Sequence, residues 1–233
     1  LLPTDWPGVF TELAQPMPHI LTIPRTCAPK LPKSGCWPLP SLDFLQHAQW
    51  HIRAQAEHDE AWLQLIPYLA LHNADGHLWC YQRSGGDARL DGRCSCGVGG
   101  HVDSQDAEPV GKHNGIDSTL RKQNKGYSLI SPINSQTTLQ RALLREVREE
   151  LAADATQLQD LRLQALIYEG MSPVGRVHLG LLYTAQWLPA LPPHPVAGEA
   201  LQGLGFRPAS DIAQNEQFEL WSRLAAHYLL QQK

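Results

Sequence analysis

Six consecutive positions, Arg145 to Glu150 in the stretch LLREVREELAADA, hold three glutamates and two arginines. On a helix advancing about 100° per residue, Glu146, Glu149 and Glu150 fall within a sector of roughly 100°. Carboxylates this close repel one another, which favours protonation unless a cation is present. Mg²⁺ or Mn²⁺ is the cation that suits such a cluster. Hard ions prefer oxygen ligands, and these two also suit phosphate substrates. Leu139, Leu143, Val147 and Leu151 form a stripe directly beside the carboxylates, so the helix can bury its leucines on a sheet and leave the acids at the edge of that contact. Arg141, Arg145 and Arg148 lie toward the other side, and Arg145 sits four residues before Glu149, where it can steady that carboxylate. A solvated, salt-bridged helix face would look the same from this stretch alone.

Upstream, CGVGGHVD at 96–103 puts two glycines at the end of an extended run. Glycine there permits a tight turn and close approach of backbone to a ligand. Other elements must hold the turn and the helix together. Residues 1–40 are proline-rich, with one strand expected at HILTIP. Residues 41–58 read as a helix capped by Ser41, with Leu42, Leu45, Ile52 and Ala56 near one face. LIPYLALHNADGHLWCYQR reads as two strands joined by a turn at Asp75-Gly76, and RLDGRCSCGVGG as a third extended run. Residues 107–136 are polar and read as a long loop. Thr137 and Gln140 fit a capping box for the acidic helix. Strands follow at LRLQALIYEG and GRVHLGLLYTAQW, joined by MSPVG. LPALPPHPVAGEA is then a proline-rich connection, and LQGLGFRP a last strand. Asn215 caps a final helix with Phe218, Trp221, Leu224, Tyr228 and Leu229 on its apolar side. This order implies an α/β (α+β) fold, a mixed sheet with helices packed on it.

The 233 residues suffice for one sizeable core with an extension, and 42% hydrophobic with 18% charged residues describes an ordinary globule. A net charge of -4 gives no broad electrostatic reason to bind nucleic acid or an anionic membrane. No apolar run approaches the roughly 20 residues needed to cross a bilayer, and LLPTDWPGVF has no signal-peptide pattern. The five cysteines contain no CxxC pair and read as reduced thiols of a cytoplasmic protein; zinc at Cys94-Ser95-Cys96 lacks the usual ligand spacing.

GGHVDSQDAE followed by ALLREVREEL resembles the Nudix box: glycine, five residues, glutamate, seven residues, then Arg-Glu-hydrophobe-x-Glu-Glu-x-Gly. Arg145 to Glu150 match its second half in full. Gly100 matches the first half, with Asp106 where glutamate is usual. Ala152 replaces the closing glycine. Between Asp106 and Arg145 lie 38 residues rather than seven, an insertion of about 31. Counting back from Arg145 instead would place Thr137 and Ser131 at the glutamate and glycine, so the upstream alignment is preferred. RAQAEHDEAWLQLIPYLAL, SPVGRVHLGLLY and FELWSRL are similar to a little-studied Nudix branch of predicted phosphoesterases.

The resemblance implies a mixed sheet sandwiched between helices, with residues 1–62 as an N-terminal extension and 63–233 as the Nudix domain. It implies Glu149 and Glu150 as main metal ligands, Glu146 as a further ligand or base, the Gly99 carbonyl in the metal shell, and Arg145 as the residue that orients a glutamate. A late-loop carboxylate often joins, for which Glu199 is the candidate and Glu169 the alternative. Arg83, Arg89 and Arg93 suit phosphate oxygens, and would equally serve as surface charge at strand ends. His101 and His178 are candidates for substrate contact, against simple roles in fixing the turn and filling the core. Lys112, His113, Arg121, Lys122 and Lys125 would make the insertion basic. The expected activity is metal-dependent cleavage of a diphosphate bond in a nucleoside-diphosphate-linked or similar small molecule. The alternatives are a Nudix-fold module that binds without turnover and a metal-dependent isomerase using Cys80 or Cys96. A homodimer through residues 1–60 stays open.

Overall fold

The computed structural model describes residues 17–85, 91–107 and 135–232. Its centre is the strand β4 (Trp62–His72), buried along nearly its whole length. A near-continuous apolar run of this kind is what a strand covered on both faces requires. β4 pairs in parallel with β9 (His178–Trp187), with Gln64 opposite His178. From β9 the sheet continues antiparallel through β8 (Leu158–Glu169) to β2 (Ser34–Pro38). On the other side, β4 turns into β5 (Leu78–Arg83), which pairs with β10 (Leu201–Arg207). β1 (His19–Pro24) pairs with β4 and with β3 (Gln49–Ile52). Two short strands, β6 (Cys94–Ser95) and β7 (Val98–Gly99), carry the glycine turn and pair with β5 and β4.

The two faces of the sheet make two core layers. Leu65, Leu69 and Leu71 of β4 meet Leu139, Leu143, Val147 and Leu151 of α2 (Ser135–Leu151) on one side. Tyr68 and Ala70 point the other way, toward Ile212 of α4 (Ala209–Ala213) and Ala225 and Ala226 of α5 (Leu220–Leu230). Period-two alternation in the strand thus divides its side chains between two helical layers. The leucine stripe of α2 is the buried face, as its spacing requires. A mixed sheet between helices is therefore the fold.

Several local expectations give way. Residues 41–58 do not form one helix. They make a short 3-10 turn (Asp43–His47), then β3, then the single turn α1 (Arg53–Ala56). Pairing of Gln49–Ile52 with β1 satisfies the backbone there and overrides the weak helical spacing of four apolar residues. β2 carries Gly35 and Pro38, which concealed it; as an edge strand on β8 it tolerates both. Thr137 lies inside α2, which already runs from Ser135. Glu219 rather than Asn215 caps α5, accepting from the backbone N–H groups of Trp221 and Ser222. The Asp75-Gly76 turn forms, with Gly76 at φ 74°.

At Gly99 the β7 backbone lies against β4 so closely that a Cβ would fall on the Pro67 carbonyl oxygen. At Gly100 a Cβ would instead stand 2.5 Å from Glu146 Oε1. Gly99→Ala is expected to lower unfolding stability by about 3 kcal/mol in urea titrations, because backbone must move. Gly100→Ala should cost about 1 kcal/mol or less, because only the end of a side chain must shift.

Candidate active site

Arg145 is the hub. Its Nε and Nη2 donate to the two carboxylate oxygens of Asp106 at 2.9 and 3.1 Å. Nη1 donates to Glu146 Oε1 at 2.8 Å and Glu149 Oε2 at 3.0 Å, and Nη2 also donates to the His101 carbonyl at 2.9 Å. Asp103 lies 3.6 Å from Nη2. Burial works against the charge of the guanidinium. The bonds to Asp106 and the charge of Glu146 outweigh it and raise its pKa. Asp106 is nearly buried and accepts a further bond from the Asp103 N–H, 2.8 Å. One arginine therefore clamps the glycine turn, the residues after it and two of the three glutamates.

The three glutamates differ. Glu146 is half-buried beside Gly100; burial raises its pKa while Arg145 opposes the shift. Glu149 is the exposed one, at 55% of its side-chain surface. Glu150 receives nothing from Arg145. Its Oε2 is buried with no hydrogen-bond partner. Burial raises its pKa to about 7; the charge of Arg83 resists, and those of Glu146, Glu199 and Glu149 add to the rise. Glu199 is exposed on the proline-rich connection, which is tied to α2 by a bond from the Val196 N–H to the Glu150 carbonyl, 2.8 Å. Among the described residues no three His, Cys, Asp or Glu side chains already converge as a metal-ligand set. The donors still fit a cation. A buried acceptor without a partner, on which the charges of three further carboxylates act, leaves negative charge that a divalent ion would offset.

Beside these acids a cleft of about 450 Å³ is lined by Arg53, Arg83, Gly99, Gly100, His101 and His178, among others. Arg83 donates to the Tyr81 hydroxyl at 3.1 Å, and its Nε is buried without a partner. His101 Nε2 lies 2.8 Å from Gln64 Oε1. Gln64 spends its amide N–H on the Ala56 carbonyl, so Oε1 accepts and His101 Nε2 carries the hydrogen. His178 Nδ1 donates to the Val174 carbonyl, 2.7 Å, and its Nε2 lies 3.3 Å from His101 Nε2. Burial first, then the charges of Arg53, His178 and Arg145, hold the His101 pKa down at about 3. His101 is thus a fixed neutral donor, bound to Gln64.

The structure brings Gly99, Gly100, His101, Arg145, Glu146, Glu149 and Glu150 together, with Arg83, His178 and Glu199 around them. Arg89 and the insertion's Lys112, His113, Arg121, Lys122 and Lys125 lie outside the described residues. Arg93 is turned away and donates to the Glu216 carbonyl. Glu169, the alternative candidate, lies at the end of β8 rather than on the proline-rich connection. Its carboxylate accepts from the N–H of Met171, and from the N–H and hydroxyl of Ser172, at the start of α3 (Pro173–Arg176). The thiols of Cys80 and Cys96 are buried and pushed up in pKa by that burial, that of Cys96 to about 12, which suits neither to acid–base work. Gln64 and Arg53 escaped the sequence reading. A lone glutamine inside an otherwise apolar strand was the available signal for Gln64; Arg53 was concealed by the expected helix.

No family model matches the chain. Protein YmaB of Bacillus subtilis strain 168 is 26% identical over 182 residues, 76% of each chain. Among solved structures, Tm1382, proposed to be a Nudix hydrolase, superposes with a TM-score of 0.66 at 22% identity, covering 92% of this chain and all of that one. The mixed sheet between helices is therefore a Nudix-like fold.

Two outcomes follow from the clamp and from Glu150. Asp106→Ala should destabilise by about 3 kcal/mol in chemical denaturation, because it removes the buried partner of a charge that stays buried. In metal-free buffer, Glu150 should make stability fall with rising pH. Between the usual 4.5 and its folded value of about 7, the unfolded chain releases the proton while the folded one keeps it. Glu150→Gln should therefore be more stable than wild type at pH 8 by on the order of 2 kcal/mol and indistinguishable at pH 4, as read by calorimetry.

Proposed function

We propose that the protein is a Mg²⁺- or Mn²⁺-dependent hydrolase that cleaves a diphosphate bond in a nucleoside-diphosphate-linked or similar small molecule. One observation carries this reading. Glu150 Oε2, a buried acceptor, and Arg83 Nε, a buried donor on the cleft wall, both lack partners and act on each other's charge. A divalent ion at the acceptor and a phosphate oxygen at the donor would satisfy both. The Nudix-like fold, and the pairing of Arg145 with the aspartate at the motif's glutamate position, support the same reading.

Glu150, Glu149, Glu146 and the Gly99 carbonyl are the groups that would hold the ion, with Glu199 next to them. Bound there, a divalent ion supplies charge to offset the diphosphate and lowers the pKa of a water. The remaining work falls to the chain. Arg145 fixes Glu146 and Glu149 in place, and Arg83 binds and orients the phosphate. His101, locked as a neutral Nε2–H donor, keeps the turn in register with β4 and adds no charge to the cleft. Without the ion, burial holds the Glu150 pKa up at about 7, so the carboxyl must give up its proton for the ion to bind. All five cysteines are free thiols, which supports a cytoplasmic setting.

A binding module without turnover is favoured by one observation: Arg145 already occupies an oxygen of both Glu146 and Glu149. Product release from a panel of nucleoside triphosphates, nucleotide sugars, dinucleoside polyphosphates and coenzymes separates the two. The expected result is metal-dependent turnover that falls about a hundredfold or more in Glu149→Gln and Glu150→Gln. Binding of the same compounds with no turnover by wild type would replace the hydrolase with the binding module.

A further inference from the structure

Two opposite charges lie near each other and do not pair. Arg83 and Glu150 act on each other's charge, yet Arg83 Nε and Glu150 Oε2 are both buried without a partner. At low dielectric such groups attract strongly, and a free guanidinium would turn to the carboxylate. Another group must withhold it. Alternation along β5 puts Trp79, Tyr81 and Arg83 on one face of the strand. Arg83 Cζ lies 5.5 Å from the centroid of the Tyr81 ring, and the Trp79 ring lies 5.2 Å from the same ring. Tyr81 is fully buried.

Burial also pushes the Tyr81 pKa up, so its hydroxyl keeps its single hydrogen. That hydrogen goes to the Gly97 carbonyl at 2.7 Å, and the oxygen accepts from Arg83 Nη2 at 3.1 Å. Gly97 is a firm anchor. A Cβ there would fall within 1.9 Å of the Tyr68 ring, so the backbone is pressed against that side chain. The Ser95 hydroxyl lies 3.2 Å from both the N–H and the carbonyl of Gly97. Gly99, whose carbonyl would join the metal shell, follows two residues later. One hydroxyl thus joins the Arg83 guanidinium to the glycine turn.

We infer that Tyr81 is a positioning residue: its hydroxyl ties Arg83 to the Gly97 carbonyl, holds it off Glu150 and so keeps Nε free for a ligand phosphate. This rests on the reading that a diphosphate binds at Arg83. It does not rest on turnover. Tyr81 has no exposed surface and acts only through the guanidinium it holds. Without the hydroxyl, Arg83 loses its acceptor and pairs with Glu150. That pairing removes a donor from the phosphate and occupies a carboxylate of the cation site.

The test is calorimetric titration of the full chain with inorganic pyrophosphate in Mg²⁺. Wild type is compared with Tyr81→Phe, Arg83→Gln, the double variant and Arg83→Lys, each checked for an unchanged melting transition. Tyr81→Phe should weaken binding by about tenfold, and Arg83→Gln by at least as much. The double variant should bind within about twofold of Arg83→Gln, because the hydroxyl acts through the guanidinium alone. A hydroxyl that merely stabilised the fold would weaken both backgrounds equally. Arg83→Lys should also lose about tenfold, since an ammonium lacks the planar fork that serves hydroxyl and phosphate together. It carries the test if Tyr81→Phe fails to fold. Any single variant binding as wild type does, or losses that multiply in the double variant, would overturn the inference and leave the diphosphate site in place. No pyrophosphate binding by wild type would overturn both. The expected pattern without hydrolysis of any panel compound would leave the inference standing and overturn only the hydrolase.

Discussion

The Arg145–Asp106 ion pair is the constraint on which the site depends. The partners are 39 positions apart, and the pair is bidentate and almost wholly inside, with Arg145 at 15% and Asp106 at 4% side-chain exposure. Buried pairs of this kind contribute little net stability relative to apolar packing, because desolvation offsets attraction. They do fix geometry. The same guanidinium binds the His101 carbonyl, Glu146 and Glu149, so the turn after β7 and the acidic face of α2 can adopt one relative placement. Of the three α2 glutamates, Glu150 is the one with a buried oxygen left without a partner.

The sheet supplies what the clamp cannot. Parallel pairing of β4 with β9 sets Gln64 beside His178, and His101 is held between them. Gly99 and Gly100 let the turn lie against β4 on one side and the Glu146 carboxylate on the other, two approaches that a side chain would block. The two carboxylates that line the cleft, Glu169 and Glu219, are engaged locally: Glu219 caps α5, and Glu169 accepts from Met171 and from Ser172, the cap of α3. The acids are thus divided by hydrogen bonding: Glu169 and Glu219 hold local backbone, and the cluster on α2, beside the cleft, keeps unmet charge.

Much of this was legible in the residues. The leucine stripe of α2 follows from helical spacing, the central strands from apolar runs and the glycine turn from its composition. Placing Asp106 opposite Arg145 needed the motif alignment, since no local rule connects residues 39 apart. What escaped was set by tertiary pairing. Gln49–Ile52 became a strand because β1 offered it hydrogen bonds, and that moved Arg53 into the cleft. Trp221 read as packing, which its contact with Gly180 confirms in part; only the assembled cleft reveals its other surface. Glu219 was passed over as a cap in favour of Asn215, because Ser, Thr, Asp and Asn dominate that position and glutamate is a less usual choice.

The most direct test of the central claim, that the α2 carboxylates form a divalent-cation site, is titration of the protein with Mn²⁺ at pH 7, following bound metal by electron paramagnetic resonance and released protons in weak buffer. The expected result is saturable binding at one site with release of a fraction of a proton per ion, since Glu150 titrates near that pH and must give up its proton to bind metal. Glu150→Gln should abolish the proton release and weaken the binding. No saturable Mn²⁺ binding, at pH 7 or at pH 8 where Glu150 is ionised, would contradict the account and leave the acidic helix as a salt-bridged face organised by Arg145.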